Sequence, residues 1–377
     1  MSNLSGLELR SRITSGGALE LWLEEVEVPD PKEGEVLIRV EATPINPSDL
    51  VMLVGPADLG TLRAGGTPRQ PTATAEVPKA RLGSVAGRLD QALPVGNEGA
   101  GLVVAAGPGA TPWIGQRVAA LASGMYAQYR IARVPECLPL NPGTPSRDGA
   151  SAFVNPLTAL CMVETMRREG HHAIVHTAAA SNLGQMLVRL CGVEGVPLIN
   201  IVRSAAQMEL LRGLGAQYVL DSTSPTFAKD LTEAIAATSA TLAFDAIGGG
   251  PLAATILTCM ERVAARSLKH YSRYGSPTHK QVYIYGSLDF GPTELPRNFG
   301  LAWGMGGWLM PTYLQKIGRQ DSQKLYARVA SELATTFASH YSAQITLQEA
   351  LEPATITAYA RRATGEKYLI TPNPAQE

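Results

Sequence analysis

Ala173-Ile174-Val175-His176-Thr177-Ala178-Ala179-Ala180-Ser181-Asn182-Leu183-Gly184, then a helical stretch, then Pro197-Leu198-Ile199-Asn200-Ile201-Val202-Arg203, is the passage that decides the fold. A short apolar strand runs into a turn of small residues, a helix follows, and a second apolar strand ends on an arginine. This is the βαβ pattern of a dinucleotide-binding unit with its glycine fingerprint eroded. On the frame G-x-G-x-x-G stand Ala179, Ala180, Ser181, Asn182, Leu183 and Gly184. Only the last glycine survives, the one that lets helix and strand pack closely. Ala and Ser are still small enough for a pyrophosphate to approach backbone at a helix N-terminus. Ala180, Ser181, Asn182 and Leu183 are therefore candidate cofactor contacts. An acid closing the second strand would grip a ribose hydroxyl, whereas an arginine accommodates a 2′-phosphate. Arg203, followed by Ser204, predicts NADP(H) over NAD(H), because a guanidinium fork suits a phosphate.

Outward from this unit, apolar strands keep alternating with helices. Helices are expected at 150–167, 207–214, 227–237 and 252–265, and further strands at 217–221, 241–245 and 281–286. Five strands separated by helices make a doubly wound parallel sheet. Ligands bind outside the carboxyl ends of such strands. Arg203, Asp245-Ala246-Ile247-Gly248 and Tyr285-Gly286-Ser287 are thus expected to converge, which adds Ala246, Ile247, Tyr285, Gly286 and Ser287 to the cofactor candidates. A last helix is expected at 323–339. The first part of the chain reads as β instead. Short strands at 19–28, 35–42, 102–106 and 116–122, bounded by Gly and Pro, suggest a barrel-like domain up to about residue 141. Residues 56–94 contain no aromatic side chain and read as a surface loop or a lid.

A length of 377 residues suggests two domains. The net charge is −1 with 17% charged residues, and no basic stripe calls for a nucleic-acid or membrane partner. Residues 1–14 lack the apolar core of a secretory signal, and no run is long enough to span a bilayer. The four cysteines show no CxxC spacing, so a reducing, cytoplasmic setting is expected.

Five stretches occur in order: Ile45-Asn46-Pro47-Ser48-Asp49, Val95-Gly96-Asn97-Glu98-Gly99-Ala100-Gly101, Asn155-Pro156-Leu157-Thr158-Ala159, the turn 178–184 and Thr364-Gly365-Glu366-Lys367. With them the chain resembles the medium-chain dehydrogenase/reductases, and within these the zinc-independent NADPH:quinone oxidoreductases and the related 2-enoyl thioester reductases. The resemblance implies an α/β fold. A β-rich GroES-like catalytic domain at 1–150, completed by 335–377, would join a Rossmann NADP(H)-binding domain at 151–334, with cleft and cofactor between them. It also implies a homodimer. By the same resemblance Asn46 lies beside the nicotinamide as the catalytic, hydrogen-bonding residue, with a cap before Pro47 as the lesser alternative. Asn155, Thr158 and Lys367 match cofactor contacts, and Trp308, in the glycine-rich zone 300–313, lies near the cofactor, with its apolar neighbours at the dimer interface.

Zinc-dependent members of the superfamily carry a Cys and a His where this chain has Asn46 and Asn97. Neither amide replaces a thiolate or imidazole ligand. No cysteine precedes Cys137, so a structural zinc lobe is missing as well, and a metal-free protein is expected. Without a Lewis acid, hydride transfer to a conjugated acceptor is the easier chemistry, since a quinone or enone spreads the developing charge and the protein mainly holds the reactants together. In the enoyl reductases a tyrosine shortly after the Asn-Pro-Ser-Asp motif donates a proton. Here that position is Ala57, with Tyr271 and Tyr274 as distant substitutes. The expectation is an NADPH-dependent reductase of a small-molecule quinone or related conjugated carbonyl. A 2-enoyl thioester reductase and a non-catalytic NADPH-binding sensor stand as alternatives.

Overall fold

The computed structural model describes residues 4–373. The chain divides into two units, Met1–Val154 with Tyr326–Glu377, and Asn155–Leu325. The strands before the division are β1 (Ser5–Ile13), β2 (Ala18–Glu27), β3 (Glu35–Pro44), β4 (Asp58–Gly66), β5 (Pro71–Glu76), β6 (Leu93–Pro94), β7 (Glu98–Ala106), β8 (Arg117–Leu121), β9 (Tyr129–Arg133) and β10 (Cys137–Pro139). The second unit holds β11 (Ile174–His176), β12 (Leu198–Val202), β13 (Tyr218–Asp221), β14 (Leu242–Asp245), β15 (Lys280–Ile284) and β16 (Trp303–Gly307). The tail supplies β17 (Ala343–Ile345) and β18 (Tyr368–Ile370).

The first unit is two sheets. One runs β4-β5-β2-β1-β6; the other runs β10-β8-β7-β3-β18-β17, with β9 also on β3. Period-two alternation builds them. In β2, Leu19, Leu21 and Leu23 turn inward, and in β1 Leu9 and Ile13 meet them in a core shared with Leu50, Leu53 and Tyr126. The tail belongs to this core: Leu347, Ile356 and Ile370 lie in the same cluster, and β18 pairs antiparallel with β3 at Thr43 and Pro44.

Three expectations are corrected. Residues 56–94 are no long loop: β4 and β5 form an antiparallel hairpin, and β5 extends the sheet along Ala18–Trp22 of β2. Ala73 and Ala75 point inward at 0% and 5% exposure, so small side chains, rather than the β-branched apolar ones usually sought, make this strand. The parallel sheet has a sixth strand, β16, whose glycines conceal it. The helix expected at 323–339 runs Met310–Glu332, begins well before residue 323 and is interrupted at Gly318, where φ is +80°; a further helix, Pro353–Ala360, follows in the tail.

The second unit is one parallel sheet in the order β13-β12-β11-β14-β15-β16. All five residues of β12 are buried, as both faces of such a sheet are covered by helices. The order reverses between β11 and β14, the switch point at which open α/β sheets bind ligands.

Candidate functional site

The turn after β11 shows why its residues are small. Ala178 takes φ +49°, a left-handed conformation costly to a side-chain residue. Ser181 then caps helix Asn182–Glu194, its Oγ accepting from the Gly184 N–H at 3.1 Å. At Gly184 a Cβ would stand 2.0 Å from the Ala179 carbonyl oxygen, so helix and turn can approach only with glycine there. The neighbouring strand end is tied in across the switch point. Thr177 Oγ1 donates to Asp245 Oδ1 at 2.7 Å and accepts from the Ala246 N–H at 2.8 Å. The buried Asp245 carboxylate also receives the N–H groups of Ile247 and Gly248.

The structure brings the candidates of this unit to one edge of the sheet. Ala180, Ser181, Asn182 and Leu183 follow β11, Ala246 and Ile247 follow β14, and Tyr285, Gly286 and Ser287 follow β15. A Cβ on Gly286 would meet the Ala246 oxygen at 2.7 Å, which shows how closely these loops pass. Arg203 and Ser204 follow β12. Ser204 caps helix Ala205–Gly213, and the exposed Arg203 guanidinium has no hydrogen-bond or ion-pair partner among the described residues. Trp308 follows β16, buried edge-on to Phe244 with its indole N–H on Thr165 Oγ1 at 3.2 Å. Tyr285, Gly286, Ser287 and Trp308 line a cavity of about 430 Å3. Asn155 and Thr158, by contrast, lie buried on helix Val154–Arg168.

In the first unit Asn46 occupies the N-cap position of helix Pro47–Leu53. Its side-chain Nδ2 donates to Glu98 Oε1 at 2.7 Å. Glu98 Oε2 accepts the Phe153 and Val154 N–H groups, both at 2.9 Å. Lys367, also buried, donates to Ser151 Oγ at 2.7 Å, which the Tyr341 hydroxyl reaches at 2.9 Å. Asp49 Oδ2 accepts the Asn46 N–H, while Oδ1 is buried with no hydrogen-bond partner at contact distance among the described residues; the Tyr126 hydroxyl donates to the Pro44 carbonyl. Burial pushes the Asp49 carboxyl up to about 7, against the pull of the Asn46 N–H. Burial also raises Glu98, with Lys367 and its donors drawing it back. Burial pushes the Lys367 ammonium down to about 8, opposed by Glu98 and Asp49. The first unit therefore holds an acid and an amine that both change protonation near neutral pH.

Asp49, Glu98, Ser151 and Tyr341 receive no role from the sequence. Asp49 and Glu98 stand inside the quoted motifs, but nothing local says that they meet a lysine far along the chain. Asn97, one residue from Glu98, is exposed. Among the described residues no three His, Cys, Asp or Glu side chains group as a metal site requires.

Comparison with known proteins agrees with this architecture. The profile of the alcohol dehydrogenase GroES-like domain matches residues 32–142. The mitochondrial enoyl-[acyl-carrier-protein] reductase of Caenorhabditis elegans is 28% identical over 207 residues, 53% of this chain and 52% of that protein. A chloroplastic quinone-oxidoreductase homolog of Spinacia oleracea is 29% identical over 56% of this chain and 59% of its own length. The chain spans about half the length of the curated relatives it matches. A solved structure from Mesorhizobium loti, provisionally named as an NADPH:quinone reductase, is 26% identical and superposes with a TM-score of 0.75 over 99% of this chain and 100% of that one. By these matches the chain is similar to NADPH:quinone reductases and enoyl reductases, with an alcohol dehydrogenase GroES-like domain at residues 32–142. Ala57 stands where the enoyl reductase tyrosine is expected, half-buried against the apolar cluster of the first unit. Tyr271 and Tyr274 are 93% and 53% exposed. Among the described residues no helix is long and apolar enough to cross a membrane.

Proposed function

We propose that this chain is an NADPH-dependent oxidoreductase that reduces a quinone or related conjugated carbonyl without a metal. The observation that carries the reading is Arg203, an exposed cation closing β12 beside the switch point, where an NAD-binding sheet would present an acid. Arg203 and Ser204 are assigned to the 2′-phosphate. Ala180, Ser181, Asn182 and Leu183 are assigned to the pyrophosphate, at a helix end with room for it. Ala246, Ile247, Tyr285, Gly286, Ser287 and Trp308 are assigned to the remainder of the cofactor, and Asn155, Thr158 and Lys367 to further contacts. NADPH, when bound, supplies the hydride. Asn46, held by Glu98, is a positioned amide where zinc-dependent members place a thiolate, which supports metal-free chemistry.

A 2-enoyl thioester reductase is the second reading, favoured by the names of several relatives. Against it stands Ala57, since enoyl reduction needs a proton at carbon and quinone reduction does not. The reading keeps a reducing, cytoplasmic setting, consistent with four buried free thiols, and a homodimer to be checked by light scattering. Binding titrations test the cofactor assignment. Arg203→Ala is expected to weaken NADPH about tenfold or more, as loss of a charge-assisted contact does, and to leave NADH nearly unchanged. Equal losses for both would remove the 2′-phosphate argument.

A further inference from the structure

His176 closes β11 and is wholly buried. Its Nε2 lies 2.7 Å from the Tyr285 hydroxyl oxygen, and its Nδ1 has no partner among the described residues. The two rings stack at 5.8 Å within 17° of parallel, which fixes both. Burial pushes the imidazole down to about 3, so it is neutral and carries a single N–H. Where that proton sits decides what the tyrosine can do. On Nδ1 it would be a buried donor with no acceptor, the rarest kind of orphan. On Nε2 it is satisfied by Tyr285, and only a lone pair on Nδ1 goes unpaired. The tyrosine oxygen then accepts, and its own hydroxyl hydrogen must point elsewhere. Tyr285 is half-buried and lines the cavity of about 430 Å3 with Gly286, Ser287, Trp308, Leu309 and Thr312.

We infer that Tyr285, oriented by His176, presents its hydroxyl as a hydrogen-bond donor to a carbonyl oxygen bound in this cavity. The donor arrangement stands on the geometry of the second unit; its use in reduction rests on the function proposed above. Burial, with the Asp245 charge adding to it, holds the phenol above its usual range, so it donates a hydrogen bond and does not release its proton. Two carbonyls fit this chemistry, the carboxamide of a nicotinamide cofactor and the oxygen of the acceptor. His176 touches neither and is a positioning residue.

Two measurements on the full chain test this. In 15N NMR of histidine-labelled protein, His176 is expected as the Nε2-protonated neutral tautomer; a proton on Nδ1 overturns the inference whatever the protein binds. Tyr285→Phe keeps the ring and removes the donor. NADPH affinity, read by tryptophan fluorescence with no acceptor present, and acceptor kcat/KM are then compared. About a tenfold loss of one of them is expected, as for one hydrogen bond to a bound group. Weaker NADPH binding assigns the donor to the carboxamide, and lower kcat/KM at unchanged NADPH affinity assigns it to the acceptor. No change in either overturns it. Wild-type protein that neither binds nor consumes NADPH would defeat the proposed function, and the tautomer alone would then decide the donor.

Discussion

Asp49 and Lys367 make the first unit sensitive to pH in opposite directions. The Asp49 carboxyl, near 7 when folded against an ordinary 3.8, takes up a proton on folding. Its contribution is intact below pH 3.8 and is lost as the pH rises through 7. Lys367, near 8 against 10.5, gives up a proton on folding, so its contribution is intact above pH 10.5 and is lost as the pH falls through 8. Asp49→Asn keeps an oxygen for the Asn46 N–H and removes the titration. The variant is expected to flatten the fall in stability between pH 4 and 7, gaining roughly 2–4 kcal/mol on wild type at pH 8 relative to pH 4. Urea unfolding at several pH values checks this, and parallel curves for the two proteins would show that Asp49 does not titrate in that range. His176 adds an acid limb. Held near 3 against 6.5, it contributes stability above pH 6.5 that is lost as the pH falls through 3.

At the level of elements, the turn between β11 and its helix concentrates the constraint. An alanine in an exposed helix is about 1 kcal/mol better than glycine. At Gly184 the added Cβ would meet a backbone oxygen at 2.0 Å, and overpacking of this kind costs about 1–3 kcal/mol or more. The clash wins. Gly184→Ala is expected to lower stability by about 2 kcal/mol and to weaken NADPH, measured by thermal unfolding and fluorescence titration. A stabilised variant would mean that the turn relaxes freely. This turn is legible in the sequence because its signal is local: a buried strand, small residues and a final glycine within a dozen positions. β2 and β3 are legible for the same reason, through alternation of large apolar side chains. β5 is not, because Ala73 and Ala75 bury little area and carry no β signature, although they pack against β2. β16 hides behind three glycines for a similar reason. The His176–Tyr285 contact joins residues 109 positions apart, and the Ser151–Lys367 bond spans 216. Only the completed sheets bring such pairs together.

At the level of the molecule, each unit carries its own core, and the first depends on the tail. Ile345, Leu347, Ile356, Leu369 and Ile370 are all buried in it. At about 2 kcal/mol for each buried aliphatic side chain, their loss amounts to roughly 10 kcal/mol, comparable with the whole stability of a domain. A chain ending at residue 325 is therefore expected to leave the first unit unfolded while residues 155–325 keep a cooperative transition, as followed by near-UV circular dichroism and thermal melting. A folded first unit in that fragment would show that β17 and β18 are dispensable. The second unit presents Arg203 and the strand-end loops on one sheet edge, and the first presents a buried acid and amine beside Asn46. On the function proposed above, these serve NADPH-dependent reduction of a conjugated carbonyl. The most direct test of that function is NADPH consumption by the purified chain with an ortho-quinone, a para-quinone and a 2-enoyl thioester, with NADH in parallel. Turnover of NADPH with the quinones, and little with NADH or the thioester, is the predicted result. Tight NADPH binding with no consumption by any acceptor would contradict the account and make the chain a cofactor-binding sensor.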